Sequence, residues 1–157
     1  MKKTNSACSV FGLVIPEMVK GPWADIASGI RQTAQKDGHG VCVPLCWDDP
    51  AAVLRHPSVF VRLCAEAGID GVFLRAFPDR KDTRRVLSAL RREKIPVALL
   101  RINDESPIGG VGFDVVTLRN EGRISPRVSL RLGSVACHAL LQRLAKSSNP
   151  PSDLVLE

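Results

Sequence analysis

Few side chains in this 157-residue sequence are suited to chemistry, and most of them follow short apolar runs. Trp23, after Gly21-Pro22, offers a flat platform for a sugar ring or a base, or else a loop aromatic that caps the core. Asp48 and Asp49 follow the second apolar run. Their carboxylates suit ligand hydroxyls, or the capping of a helix that begins at Pro50. Arg75 and Arg101 stand at the ends of the third and fourth runs. A guanidinium there either grips a carboxylate or phosphate through paired hydrogen bonds or remains a solvated rim charge. Phe77 fits core or rim packing, or a second ring for a ligand to stack on.

Motifs for catalysis are missing. There is no Gly-x-Ser-x-Gly elbow, no phosphate-binding P-loop and no dinucleotide fingerprint. His39, His56 and His138 have no spacing that implies a relay. A phosphoacceptor receiver needs paired acids after its first strand, and Pro16-Glu17-Met18 supplies one. The five cysteines, Cys8, Cys42, Cys46, Cys64 and Cys137, sit mostly inside apolar runs and read as small buried hydrophobes in a reducing compartment. Only a fold that gathers Cys42, Cys46, Cys137 and His138 would make them a metal site. The expectation is of no catalytic residue, no metal and no cofactor.

The elements that must position these residues alternate. Val10–Ile15, Val41–Cys46, Gly71–Phe77 and Pro96–Leu100 are apolar runs of strand length. Between them, Trp23–Lys36, Pro57–Ala67 and Asp82–Arg92 carry apolar residues at helical spacing. Beyond Arg101 the pattern suggests a strand and its exit over Gly110–Leu118, a short strand at Val128-Ser129-Leu130, and a helix over Leu132–Ala145. Asp153–Leu156 fits a last edge strand after the turn at Ser147–Ser152. The rhythm predicts an α/β fold, a doubly wound, mostly parallel, Rossmann-like sheet covered on both faces. Right-handed crossovers would gather the strand ends on one rim, so Trp23, Asp48, Phe77 and Arg101 should share it. Residues 1–8 read as a disordered or extended start, 9–146 as one lobe and 147–157 as a tail.

Composition bounds the rest. At 45% hydrophobic and 24% charged, the chain can bury a core and is not of disordered type. Its net charge of +6 favours anionic partners in general, but no basic stripe interleaved with aromatics marks a nucleic-acid surface. Arg80-Lys81-Asp82-Thr83-Arg84-Arg85 with Arg91-Arg92 reads as a mixed, solvated helix face or a phosphate-contacting one. Met1-Lys2-Lys3 precedes an apolar run that Pro16-Glu17 cuts short, too short for a secretory signal or a membrane span. The expected location is therefore the cytoplasm, with no membrane partner.

Three segments in register resemble one family. Pro16-Glu17, Gly21-Pro22-Trp23 and Gly29-Ile30 resemble the start of the sugar-binding domain shared by lac-repressor-type regulators and periplasmic (type I) sugar-binding proteins. Gly68-Ile69-Asp70-Gly71-Val72-Phe73 is similar to that family's third strand, and Lys94-Ile95-Pro96-Val97-Ala98-Leu99-Leu100 to its fourth. The resemblance covers residues 9–102. It implies a periplasmic-binding-protein-like lobe, and the candidate ligand contacts read from the residues themselves are Trp23, Asp48, Asp49, Arg75, Phe77 and Arg101. The family usually has an acid where Arg101 stands, so its ligand chemistry does not transfer intact. The carboxyl half aligns in two ways. Pro126–Leu141 resembles the end of the first lobe, or Val111–Ala145 resembles the closing segment, and the second alignment makes Asp114 a ligand contact. Family members fold as two lobes and need roughly twice this length, so either alignment implies one lobe.

The function this implies is effector or partner binding by a regulator-derived module without its DNA-binding arm and second lobe. Its partners would be a sugar-like small molecule and a second copy in a homodimer, with DNA only if a separate domain supplies the contact. The alternatives are a small α/β enzyme using Asp48, Asp49 or Arg101, and a truncated gene product without an independent role.

Overall fold

Among the described residues strands and helices follow one another, with two helices in succession before the third strand and two strands in succession before the last helix. The computed structural model describes residues 8–15, 21–43, 50–104, 113–145 and 153–157. In chain order they form β1 (Val10–Val14), α1 (Pro22–Lys36), β2 (Gly40–Cys42), α2 (Pro50–Arg55), α3 (Pro57–Glu66), β3 (Gly71–Arg75), α4 (Arg80–Arg92), β4 (Val97–Ile102), β5 (Asp114–Leu118), α5 (Pro126–Ala145) and β6 (Asp153–Leu156). The strands make one sheet in the order β2-β1-β3-β4-β5-β6, and every pairing is parallel. The chain leaves β1 for β2 on one side, then crosses to β3 on the other. The carboxyl ends of β1 and β3 therefore flank the point where strand order reverses, the usual place for a ligand crevice in an open parallel sheet.

The continuous apolar runs have a simple cause: both faces of the sheet are buried. Phe11, Leu13, Phe73, Ala98 and Leu100 face α1 and α5, while Val14, Val72, Leu74, Val97 and Leu99 face α2, α3 and α4. Helix packing is closest between α1 and α5. A β-carbon added at Gly133 would fall inside contact distance of the Ile26 carbonyl oxygen, and one added at Gly29 would do the same to the Leu130 carbonyl oxygen. The two glycines let the backbones touch.

One element differs in kind from the sequence reading. Val128-Ser129-Leu130 is not a strand but part of the first turns of α5. Ser125 caps that helix: its carbonyl accepts from the Ser129 amide at 3.2 Å, and its hydroxyl from Val128 at 3.4 Å. Pro126 then takes the first helical position, where its missing N–H costs nothing. The short helix α2 begins at Pro50, the start offered by one reading of Asp48 and Asp49. The other strands and helices fall where expected with shifted ends, most at β2, which is three residues long. β6 is one of the two edge strands, paired with β5 from Val115↔Asp153 to Leu118↔Leu156.

Among the described residues no helix is long and apolar enough to cross a membrane, and no group of three His, Cys, Asp or Glu is placed to hold a metal. On the outer face of α4, Arg85 pairs with Asp82 at 3.6 Å, both sides solvated.

Candidate functional site

The carboxyl ends of β3 and β4, with the first turn of α1, enclose an open cleft of about 430 Å³. Trp23 enters from α1. Gly21, at φ 77°, turns the chain into that helix, and Pro22 opens it. Arg75 is the last residue of β3, and Ala76, Phe77 and Pro78 continue the wall. Leu100, Arg101 and Ile102 come from the end of β4; Asp104 and Ile124 complete the lining. The parallel sheet thus brings Trp23, Arg75, Phe77 and Arg101 into one mouth.

Each side chain is held differently. The Arg75 guanidinium carbon lies 4.6 Å from the centre of the Trp23 ring, a cation–π contact. Arg101 is only 7% exposed, and its Nε donates to Thr117 Oγ1 at 3.2 Å. Arg101 and Thr117 are register partners across β4 and β5, so the sheet itself aims that bond. Phe77 is 7% exposed and packs on the core beneath α4 while its edge lines the cleft. Its amide donates to the buried Thr83 Oγ1 at 2.9 Å, and the Thr83 hydroxyl lies 3.4 Å from the Phe77 carbonyl. The loop from β3 to α4 is therefore tied to the first turn of α4. Asp79 caps that turn by accepting from the Lys81 amide at 2.8 Å. Asn103, in left-handed backbone at φ 50°, bonds reciprocally with Asn120 at 2.8 and 2.9 Å and links the exits of β4 and β5.

Asp114 is not brought to this mouth. It is the first residue of β5, so a parallel sheet puts it on the opposite rim. It is 1% exposed there, and Arg143 of α5 donates to both its oxygens, from Nη2 at 2.9 Å and from Nε at 3.2 Å. That hydrogen bond, first among the causes, raises the Arg143 pKa above its ordinary value. The pair fastens the last turn of α5 to the sheet. Asp48, Asp49, Cys46 and the Pro16-Glu17 step lie outside the described residues. Thr83, Thr117 and Asn103 were missed, because a lone threonine in an apolar strand or helix shows no partner until register is known.

Chemically, the described residues give the mouth one aromatic face, two guanidinium groups and one carboxylate at the end of an otherwise apolar wall. It can stack a ring and hydrogen-bond a polar or charged substituent.

No family model matches the sequence, and no curated protein does. Solved structures do resemble the fold. The lac repressor dimer bound to operator and the anti-inducer ONPF aligns with a TM-score of 0.52 at 15% identity, over 96% of this chain and 56% of that one. The periplasmic binding ribose operon repressor protein from Lactobacillus acidophilus aligns with a TM-score of 0.52 at 14% identity, over 94% of this chain and 95% of that one. The lac repressor bound to ONPG in its repressed state gives 0.52 and 14%, over 96% and 49%. The chain thus spans about half the length of the lac repressor chains it matches. The likeness is one of fold: this chain is built like one lobe of the lac repressor chains.

Proposed function

We propose that this chain is a small-molecule-binding lobe derived from a regulator of the lac-repressor type, binding a sugar-like effector and doing no chemistry of its own. The observation that carries the reading is the cleft at the carboxyl ends of β3 and β4, beside the point where strand order reverses, with Trp23, Arg75, Phe77 and Arg101 around it. Its volume of about 430 Å³ suits a monosaccharide-sized ligand. The fold shared with repressors whose structures hold an anti-inducer supports it further. Asp48 and Asp49 belong to the same proposal as hydroxyl acceptors, since in the sequence they follow the carboxyl end of β2. The protein acts in the cytoplasm, and DNA is a partner only through a separate DNA-binding domain.

This lobe provides one wall of a clamp, and we propose a second copy as the source of the other. Half-exposed Val59 and Leu63 on α3, at 46% and 49%, supply apolar surface for that association. Calorimetry with a panel of pentoses, hexoses and purines tests the ligand, and sedimentation tests the dimer. Heat from one class, saturating at one site per chain and lost in Trp23→Ala, is the expected result. Silence across the panel from folded protein counts against the reading.

A further inference from the structure

We propose that a second ligand site lies in the groove between α3 and α4, and that it takes a short chain of phosphates, as in inorganic tripolyphosphate or the tail of a nucleoside triphosphate. The groove shares no lining residue with the cleft at the strand ends, so the proposal stands apart from the reading of that cleft. It consists of two open hollows of about 310 and 360 Å³, joined through Ser58 and Arg92, which line both. Arg62 borders the first from α3, and Arg84 and Arg85 border the second from α4. Among the described residues, four guanidinium groups in this lining stand against one carboxylate, that of Glu93.

Little of this charge is neutralised within the chain. Arg62, Arg84 and Arg92 make no hydrogen bond or ion pair among the described residues. Arg85 pairs with Asp82 at 3.6 Å, a solvated contact that exchanges readily for a better anion. Burial fixes Val86, Leu87 and Leu90, and leaves positions 84, 85, 88 and 92 open to any polar residue. Three of those four are arginine, and α3 sets a fourth across the groove. The spread of the charge selects the ligand. Arg85 and Arg92 are seven positions apart, about 10 Å along the helix, with Ser88 between them on the same stripe. One orthophosphate meets only part of that span. A run of phosphates carries charge along its length and presents oxygens to each guanidinium fork in turn. Ser58 and Ser88 add hydroxyl donors. α3 also begins here, at Pro57, with no side-chain cap on its first amides, so its positive end adds to the field. No aromatic ring is among the described lining, so a base has nothing to stack on and recognition rests on the phosphates.

Calorimetry on the full chain, without divalent cations, tests tripolyphosphate, adenosine triphosphate, orthophosphate and a short DNA duplex. Tripolyphosphate should bind at one site per chain, at least about tenfold more tightly than orthophosphate, and weaken as salt rises. Adenosine triphosphate binding alongside it shows that a nucleotide tail enters the groove; tripolyphosphate binding without it assigns a free oligophosphate. Arg92→Gln and, separately, Arg62→Gln, each checked for native circular dichroism, should weaken tripolyphosphate about tenfold. Arg127→Gln, which removes an exposed charge from the first turn of α5, and Arg75→Gln, in the cleft, should leave it unchanged. Equal weakening by Arg127→Gln reduces the effect to general charge and overturns the site. Loss in Arg75→Gln with none in Arg92→Gln moves the ligand to the cleft and overturns it as well. Orthophosphate as tight as tripolyphosphate, a duplex tighter than either, or no heat from tripolyphosphate overturns the proposal and leaves the sugar reading of the cleft untouched.

Discussion

Replacing Gly133 by alanine probes the contact on which the α1–α5 face depends. In an isolated helix the change is favourable by about 1 kcal/mol, because alanine is the better helix former. In the folded chain the new methyl would fall within contact distance of the Ile26 carbonyl oxygen, 2.8 Å from the Ile30 amide nitrogen and 3.1 Å from the Gly29 carbonyl carbon. All three are backbone atoms of α1 and cannot swing aside as a side-chain end can. The helices must separate, loosening Ile26, Ile30, Leu132 and Ala136, all buried between them and the sheet. Overpacking of this kind costs up to about 3 kcal/mol, so the net loss is about 2 kcal/mol. For a domain of this size that lowers Tm by about 4–8 °C. Thermal and urea unfolding followed by circular dichroism read it directly. Gly40→Ala is the control: its methyl would meet only Val10 Cγ2 at 3.9 Å, an ordinary contact, and should leave Tm unchanged. A Gly133→Ala chain that melts at or above the parent temperature would refute the backbone-to-backbone crossing.

Three further outcomes are expected. Asp114→Ala leaves the Arg143 guanidinium, 12% exposed, without its carboxylate and should cost about 3 kcal/mol in urea unfolding, while the paired change Asp114→Leu with Arg143→Met recovers most of it. Ser129→Ala should raise stability by about 1 kcal/mol, since the buried Ser129 hydroxyl is the one such side-chain group among the described residues with no hydrogen-bond partner. Burial first, and the charge of Asp37 second, push the Cys137 thiol up from 9.0 to about 11. A raised folded pKa favours the neutral thiol in the native state, so this contribution is whole below pH 9 and lost as pH climbs toward 11. Urea midpoints at pH 8 and pH 10 should fall further apart for the parent than for Cys137→Ala, and thiol reagents at pH 8 should reach exposed Cys8 before buried Cys64 and Cys137.

The sheet was legible because burial on both faces leaves an unmistakable trace. β1, β3 and β4 are unbroken apolar runs, and their order along the chain implied the parallel sheet that is found. The start of α5 was not legible from periodicity, since Val128-Ser129-Leu130 is short and apolar enough for either state. The cue was Ser125-Pro126, a cap followed by a residue suited to the first helical position. The shared rim of Trp23, Arg75, Phe77 and Arg101 was legible because each lies at or soon after a strand's carboxyl end. Asp114 was assigned through a resemblance in a region that aligns in two ways, and position within its own strand decides against the shared rim. The threonines that steady the mouth depend on register and on loop closure, which no local pattern encodes.

β6 has a consequence for how the protein must be handled. It is four residues long, and Leu154 and Val155 are 37% and 47% exposed, yet it covers the whole free side of β5. Removing residues 153–157 would uncover the amides and carbonyls of Val115–Leu118, a ready template for a foreign strand. The tail works as the sheet's own donor strand, and a shortened chain would recruit one from its neighbours in solution and polymerise.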